Sequence, residues 1–440
     1  MTRKTESRMR KAFWVGAGKV LAFPKKFQKN NDILRVGVES EVAIYNQQLA
    51  MDEYEAIRNE IINGLPWADI ELGAEQVESR TEPHNLLNGG ISALFDEYHQ
   101  RTAIILERAR SLGCSVIRCG SNPFIPVLSA PITKKEKYKI VPPFHDLHRR
   151  ARARTHIGRD KNIRIDRAGV ISLFQSFQPN LEAQSFEDAI EKLNYSLMIG
   201  PAVLALGANA RYLELKDSGM DDMRKIVWAY SHDIRTKEDL HRGLRSRIGL
   251  PEGYFDDLRH YFERVSRFPF ILDSPDHALE IGIGLHWTDT RIKVVNNSLV
   301  VEFRLLPTQP SIEDEMALLL FWLGRIIYAQ VEQEQLLPFR YVNSNRLSAM
   351  KYGLNGFAWV RTRRGVQKRT MKELVSEDMQ KAFNGLEIVG IKEMGWMSIL
   401  RERLNIGNHS DELAKKLKEK TEVTEEEMQD TLVSCGMLIG

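Results

Sequence analysis

Glutamates in three short, strand-like segments constrain the fold of this 440-residue chain more than any other feature. The six glutamates are Glu39, Glu41, Glu71, Glu75, Glu78 and Glu302. Residues i and i+2 of a β-strand point to the same face, so Glu39 and Glu41 project together, and Arg304 shares a face with Glu302. Such carboxylates repel each other unless cations intervene, and Mg²⁺ or Mn²⁺ prefers all-oxygen sites. The pattern predicts a metal site on a sheet, although alternating acidic and apolar residues are also typical of a strand with one hydrated face.

The composition is that of an ordinary globular protein, with 43% hydrophobic and 28% charged residues and a formal net charge of +3. No uncharged apolar run reaches the roughly 18 residues of a transmembrane helix, so we expect no membrane association. The apolar run near the N-terminus stops at Lys19 without a small-residue cleavage site, which argues against a secretory signal. Cys114, Cys119 and Cys435 lack metal-ligand spacing and suit a reducing compartment, so we expect a cytoplasmic location.

Hydrophobic periodicity and capping residues predict the elements of the fold. Strands are expected over residues 35–45, 71–80, 115–119, 171–178, 279–287 and 299–305. Helices are expected over residues 54–64, 88–112, 185–206 and 311–327, and the chain is predicted to be mainly helical beyond residue 341. Hairpin-like strand pairs mix with long helices and show no regular βαβ rhythm. The order favours an α+β fold with a largely antiparallel sheet and flanking helices.

Short motifs follow one another between residues 35 and 355 in the order of a known family. They are residues 37–41 (Gly-Val-Glu-Ser-Glu), Glu71 and Glu78 with Thr81, 120–124 (Gly-Ser-Asn-Pro-Phe), 204–209 (Leu-Ala-Leu-Gly-Ala-Asn), 217–219 (Asp-Ser-Gly) with Arg224 and Trp228, 286–291, 301–304 (Val-Glu-Phe-Arg), and Asn345 with Arg346. In this order the chain resembles the glutamate–cysteine ligase family, and most closely its type 2 branch of carboxylate–amine ligases. The resemblance implies a catalytic fold of the glutamine synthetase type.

The resemblance also implies a division of the chain and roles for particular residues. We expect a basic N-terminal arm over residues 1–30, a ligase catalytic domain over 31–340 and a mainly helical extension packed on it over 341–440. The residues implied to hold Mg²⁺ or Mn²⁺ are Glu39, Glu41, Glu71, Glu78 and Glu302. Arg224 and Arg304 would act in catalysis by contacting phosphate or carboxylate oxygens. The residues implied to bind ATP are Gln175, Asn209 and Arg291.

The activity implied is ATP-dependent amide formation through an acyl phosphate, on the γ-carboxylate of glutamate or a similar acid. The alternatives are a non-catalytic homologue that binds nucleotide or a partner, and a ligase that modifies a peptide or protein. Two departures from the family leave the acceptor open. Gln175 and Phe177 stand where the type 2 branch often has His-x-His, and residues 213–216 (Leu-Glu-Leu-Lys) replace a Trp-x-Gly run.

Other patterns have more than one interpretation. Arg304 could pair with Glu302 on the strand face, Arg224 could lie on a solvated helix face, and His286 could be a core histidine. Basic residues concentrate at 149–167 and 361–369. Each cluster could be a solvated loop, a lid over ATP or an acidic substrate, or a site for an acidic macromolecule. Small-molecule acid and amine substrates are the expected partners, and a homo-oligomer is compatible with the sequence.

Overall fold

The structure, a computed structural model, describes residues 3–29, 33–149, 155–158, 160–392 and 395–440. The α-helices are α1 (Arg3–Ala22), α2 (Tyr54–Ile62), α3 (Gly90–Ser111), α4 (Glu136–His148), α5 (Phe186–Gly207), α6 (Arg224–Ser231), α7 (Lys237–His241), α8 (Leu258–Ser266), α9 (Ala278–Gly284), α10 (Ile312–Val331), α11 (Phe339–Tyr352), α12 (Met371–Ile388), α13 (Gly395–Ile406), α14 (His409–Lys416) and α15 (Glu425–Ser434).

The strands connect these helices in an α+β arrangement. They are β1 (Arg35–Tyr45), β2 (Ala68–Ile70), β3 (Gln76–Arg80), β4 (His84–Asn85), β5 (Ser115–Ile117), β6 (His156–Ile157), β7 (Ile163–Arg164), β8 (Phe177–Ala183), β9 (Tyr212–Leu213), β10 (Lys216–Asp217), β11 (Ile248–Gly249), β12 (Trp287–Thr288), β13 (Thr290–Val295), β14 (Ser298–Phe303), β15 (Phe357–Thr362), β16 (Gly365–Thr370) and β17 (Leu438–Ile439).

The main sheet is antiparallel and runs β13-β14-β8-β1-β3-β2, with β4, β5 and β17 attached off this path. Its register brings the predicted site residues together. Glu41 on β1 lies opposite Glu78 on β3, and Glu39 lies opposite Gln178 on β8. Glu302 on β14 lies opposite Arg291 on β13. The predicted fold class is confirmed, and the sheet places residues from 39 to 302 on one platform.

Two long apolar helices form the core beside this sheet. Ser185 caps α5 by accepting a hydrogen bond from the Asp188 amide, and Ser311 caps α10 by accepting one from the Asp314 amide. Both helices are buried along almost their whole length, as a helix that is apolar all round must be. Trp322 on α10 donates to Ser196 on α5 at 3.1 Å. Within the described residues, no helix is both long and apolar enough to cross a bilayer.

The N-terminal helix and part of the C-terminal region share this core. Met9, Phe13 and Ala17 of α1 are fully buried, and the Phe13 ring lies 5.6 Å from that of Phe270. The segment expected to be an arm is therefore a packed helix, because three apolar residues fall on one of its faces. At the other end, α12 and α13 pack on α10, and Met371 and Leu400 belong to the same core.

Local patterns predicted some elements and misplaced others. The strand over residues 35–45 and the helices expected from residues 185 and 311 are confirmed. The strand expected over 279–287 is wrong, because that segment forms α9 and packs on α1. The strand expected over 171–178 begins only at Phe177, after a 3₁₀ helix (Ala168–Leu173). Glu71 and Glu75 lie between β2 and β3 and belong to neither strand.

The two basic clusters lie outside the sheet. Residues 361–369 fall on the exposed hairpin of β15 and β16, which the sequence did not predict. Its signal was weak because β16 is mostly polar, although Gly365, at φ +100°, closes the turn. In the cluster at 149–167, Arg164 pairs with Asp166 at 2.7 Å. Arg150, Arg152, Arg154 and Arg159 lie outside the described residues.

Candidate active site

A cavity of about 430 Å³ lies over the sheet, between β1, β3 and β8 on one side and α4, α6 and α9 on the other. Its two parts differ in chemistry. We call the part lined by Glu39, Glu41, Glu71 and Glu78 the acidic end. We call the part lined by Val141, Pro142, Trp228, His232, Leu285 and Trp287 the aromatic end. Arg224, Arg291 and Arg304 also line the cavity.

Three carboxylates of the acidic end meet at one point. One oxygen from each of Glu41, Glu71 and Glu78 lies within 4.8 Å of the other two. Strand pairing sets Glu41 beside Glu78, and the loop after β2 brings in Glu71. That loop passes so close to Ser172 that a Cβ on Gly73 would lie 2.6 Å from the Ser172 carbonyl oxygen. The glycine therefore permits the backbone approach that brings Glu71 into the cluster.

The charge of this cluster is not balanced by neighbouring cations. Within the described part of the chain, Glu41, Glu71 and Glu78 make no ion pair with lysine or arginine. Burial, followed by the charge of Glu71, raises the pKa of Glu41 to about 7, although hydrogen bonds from Ser176 partly offset both effects. Burial and the charges of Glu71 and Glu39 raise the pKa of Glu78 well above its usual range. Three converging carboxylates, with the pKa values of Glu41 and Glu78 raised, are the donor set that a hard divalent cation fits.

Glu302 and Glu39 are held differently, by direct contacts with cations. Glu302 is fully buried and contacts Arg291, Lys293 at 3.0 Å and Arg304 at 2.9 Å. Lys293 also reaches Glu39 at 2.7 Å. Although burial opposes ionisation, these cations hold the pKa of Glu302 well below its usual range. The Glu302–Arg304 pairing anticipated from the sequence is present.

The two candidate catalytic arginines are buried and firmly held. Arg224 is 3% exposed and donates to Asp222 at 3.1 Å, to the Gln175 carbonyl at 3.2 Å and to the Leu305 carbonyl at 2.5 Å. It does not lie on a solvated helix face. Arg304 donates from Nη1 to Gln178 Oε1 at 2.5 Å, while its buried Nε has no protein partner. Both side chains line the cavity and keep N–H groups free for an anionic ligand.

The aromatic end is a wall of contacting rings. The Trp228 and Trp287 ring centroids are 5.7 Å apart, and the His232 ring lies 5.6 Å from that of Trp287. Buried behind them, His145 lies 4.4 Å from His232. Burial lowers the pKa of His145 to about 3 and that of His232 well below its usual range, so both imidazoles are neutral at physiological pH.

The sequence matches the family model of glutamate–cysteine ligase family 2 over residues 35–429. The chain belongs to glutamate–cysteine ligase family 2. The family assignment predicted from the motifs is confirmed, and with it an ATP-dependent carboxylate–amine ligase as the class of enzyme. A search of curated proteins found no match.

Solved structures show the same fold at low sequence identity. A glutamate–cysteine ligase from Francisella tularensis in complex with AMP has a TM-score of 0.57 and 11% identity, and the match covers 93% of this chain and 89% of that one. A bifunctional glutathione synthetase from Pasteurella multocida has a TM-score of 0.51 and 11% identity. That match covers 97% of this chain and 54% of the other, so this family 2 chain spans about half of it.

In this family 2 member, the three residues expected to bind ATP have different surroundings. Arg291 lines the cavity and contacts Glu302 through Nε and Nη2. Asn209 is fully buried, and its side chain accepts from the Gly120 amide and donates to the Thr308 carbonyl, so it links two backbone segments. Gln175 is also fully buried, with both amide atoms unpartnered, and is not among the described residues that line the cavity. Their roles toward ATP stay predictions.

Sequence analysis did not identify some of the residues that line the cavity of this ligase. Ser176 and Gln178 both donate hydrogen bonds to Glu41, from Ser176 Oγ at 2.9 Å and from Gln178 Nε2 at 2.9 Å. Phe177 points the other way and packs against Tyr98. The expected polar contact is thus displaced by one residue from Gln175 and Phe177 to Ser176 and Gln178. The two-residue period of β8 was the signal that could have located them.

Proposed function

We propose that this ligase joins the γ-carboxylate of glutamate, or a similar acid, to an amine, and that Glu41, Glu71 and Glu78 hold Mg²⁺ or Mn²⁺. One observation carries the proposal: three converging carboxylates without cationic partners lie in the same cavity as two buried arginines with free N–H groups. A bound divalent ion would supply positive charge to the phosphates of ATP at the acidic end. The family motifs also include Glu39 and Glu302, but these are already paired with Arg291, Lys293 and Arg304, so we propose that they contact the metal only if those cations are displaced.

The reaction has two steps in this proposal. A carboxylate oxygen of the acid forms a bond to the γ-phosphorus of ATP, while the bond from that phosphorus to the β–γ bridging oxygen breaks and ADP leaves. The amine nitrogen of the acceptor then forms a bond to the acyl carbon of the acyl phosphate. The bond between that carbon and the phosphate oxygen breaks, phosphate leaves, and the nitrogen loses a proton.

The arginines would stabilise the charge that moves in both steps. Arg304 Nε has no hydrogen-bond partner among the described residues, so it can donate to an oxygen of the acid or of the phosphate. Arg224 has five N–H bonds and uses three for protein acceptors, which leaves two. Because the fold already fixes both guanidinium groups, little reorganisation is needed when the transition state forms.

ADP release, screened across amino acids and amines with and without Mg²⁺, tests this proposal. We expect ADP and amide product only when an acid, an amine and the divalent ion are all present. Glu78→Gln should abolish release, and Glu107→Gln, at an exposed position on α3, is the matched control. ATP turnover that ignores the metal, or no turnover with any pair, would contradict the proposal and favour a non-catalytic nucleotide-binding homologue.

The exposed basic hairpin supports a second acceptor class, an acidic peptide or protein. Arg363 and Arg364 are exposed at its turn, whereas Arg369 pairs with Glu377. Such a surface would attract an acidic partner through long-range charge. Efficient turnover with small amino acids alone, unchanged in an Arg363→Ser/Arg364→Ser double variant, would exclude this acceptor class.

A further inference from the structure

The aromatic end has no part in holding the metal or the phosphates, yet it carries unused hydrogen-bonding atoms. Trp228 Nε1 and His232 Nε2 are buried and have no partner within the described part of the chain. His232 is only 1% exposed, and both side chains line the cavity. A buried polar atom without a partner is unfavourable, so two of them on one wall indicate that a ligand group completes the site.

The hydrogen-bond pattern around His232 shows what these atoms require. Ser231 Oγ donates to the Trp228 carbonyl at 3.3 Å and lies 2.8 Å from His232 Nδ1. We assign the single hydroxyl hydrogen to the Trp228 carbonyl, so that Nδ1 carries the imidazole proton and donates it to Ser231 Oγ. Nε2 of this neutral imidazole is then an acceptor, while Trp228 Nε1 is a donor. A ligand hydroxyl, which both donates and accepts, suits this pair of atoms.

The spacing of residues along α6 indicates which substrate lies against this wall. Arg224, Trp228 and His232 follow one another at four-residue intervals and all line the cavity. Trp228 thus lies one turn, or about 6 Å, from the arginine that would contact the acyl phosphate. The attacking nitrogen must come within about 3–3.5 Å of the acyl carbon, so a substituent of the amine would reach Trp228 directly. The adenine of ATP is separated from its γ-phosphate by two phosphates and a ribose, which is a longer distance than the one helical turn between Arg224 and Trp228.

The aromatic rings of this wall face the ligand, whereas two cations that contact the rings lie outside the cavity. Lys225 Nζ is 4.6 Å from the Trp228 ring and the Arg247 guanidinium is 5.8 Å from the Trp287 ring, but neither residue lines the cavity. Val141, Pro142 and Leu285 complete an apolar surface. An aromatic ring packs favourably on such a surface, because ring–ring contacts add to the burial of apolar area.

We infer, on the basis of the proposed ligase function, that the amine substrate carries an aromatic ring with a hydrogen-bonding group, of which a phenol is the simplest. The ring packs on Trp228 and Trp287. The hydroxyl accepts from Trp228 Nε1 and donates to His232 Nε2. The small thiol side chain of cysteine would leave most of this wall uncovered.

Steady-state kinetics with glutamate and ATP fixed, and with tyramine, phenethylamine and cysteine as amines, test the inference. We expect kcat/KM to be highest for tyramine, about tenfold lower for phenethylamine and lower again for cysteine. Trp228→Phe, which keeps a ring and removes the donor, should bring tyramine down to the level of phenethylamine. Trp287→Leu should lower both aromatic amines about tenfold and leave cysteine unchanged.

Controls separate this inference from loss of folding and from failure of the proposed function. Trp359→Leu removes a half-buried tryptophan outside the cavity and should change none of these values. Melting temperatures identify variants that are merely destabilised. A preference for cysteine would overturn the inference and leave the ligase proposal intact, as would a selective rise in the KM for ATP in Trp228→Phe and Trp287→Leu. Absence of ADP release with every amine would overturn the ligase proposal itself.

Discussion

Two groups of carboxylates on one sheet are balanced in opposite ways. Glu302 and Glu39 share Lys293, and Glu302 also contacts Arg291 and Arg304. The cluster of Glu41, Glu71 and Glu78 has polar partners such as Ser176 and Gln178 but makes no direct ion pair within the described residues, and only the charge of nearby Arg304 acts on Glu41. The negative charge of the first group is neutralised in the folded protein, whereas the second group has a deficit of positive charge. A metal ion therefore has a reason to bind at the second group that it lacks at the first.

Removing a carboxylate from the balanced group should mainly affect stability. Glu302→Gln leaves three cations around a neutral amide, and breaking a buried ion pair costs about 3–5 kcal/mol. Urea denaturation should show this loss, and added Mg²⁺ should not restore it. Full recovery with Mg²⁺ would indicate that Glu302 is itself a metal ligand and would remove the distinction between the two groups.

Removing a carboxylate from the unbalanced cluster should mainly affect activity. Glu78→Gln weakens a metal site worth several kcal/mol of transition-state stabilisation, so kcat/KM for amide formation should fall about a thousandfold. Urea stability without metal should stay level or rise, because one repelling charge is gone. A variant with near-parental activity, compared with Glu107→Gln, would disprove the metal role.

Arg304 belongs to the balanced group but also lines the cavity, so its variants test whether it contributes to catalysis as well as to its ion pair with Glu302. Arg304→Ala should lower kcat by about 10²–10³, the usual cost of removing a donor to developing negative charge. Arg304→Lys retains the charge but loses the forked geometry, and we expect it to recover only part of the rate. Equal rates for the lysine variant and the parent would show that Arg304 acts by charge alone.

Metal ions should stabilise the folded protein through the unbalanced cluster. At a concentration of Mg²⁺ or Mn²⁺ one hundred times its Kd, the gain in unfolding free energy is about 2.7 kcal/mol. Differential scanning fluorimetry should show a rise in Tm with the metal and a further rise with ATP. The rise should be smaller in Glu78→Gln and unchanged in Glu107→Gln. A Tm that is indifferent to metal and ATP in the parent protein would contradict the assignment.

Glu75 shows a third way to neutralise a buried carboxylate, because its carboxyl group is protonated instead of being paired with a cation or a metal ion. Burial alone raises the pKa of this carboxyl to about 8 from 4.5, and neither oxygen has a protein partner. Between those values the unfolded state binds fewer protons than the native state, so the unfolding free energy falls as pH rises. We expect a loss of about 2 kcal/mol between pH 6 and pH 8 in urea denaturation. Glu75→Gln should abolish that part of the pH dependence, and identical slopes for variant and parent would refute it.

The sequence predicted what local patterns encode and missed what distant pairing decides. Alternation located β1, and side-chain caps located the starts of α5 and α10, because these signals lie within a few residues. Residues 279–287 alternate like a strand, but contact with α1 makes them helical. Sequence analysis also gave five glutamates the same role, that of metal ligands. Only the pairing of β14 with β8 and β13 separates them, by bringing Lys293 to a residue 254 positions earlier.

That separation between Glu39 and Lys293 has a consequence for how the chain folds. The sheet order β13-β14-β8-β1-β3 places the first strand at its centre, between partners that are synthesised early and late. At about 5–20 residues per second, translation leaves Glu39 without its cation for tens of seconds after β1 has emerged. Pairing over such distances carries a large loop-closure cost and slows folding. We therefore expect the active site to be completed late in folding, with protection from hydrogen exchange of the amides that join β8 to β14 appearing after that of the amides that join β1 to β3.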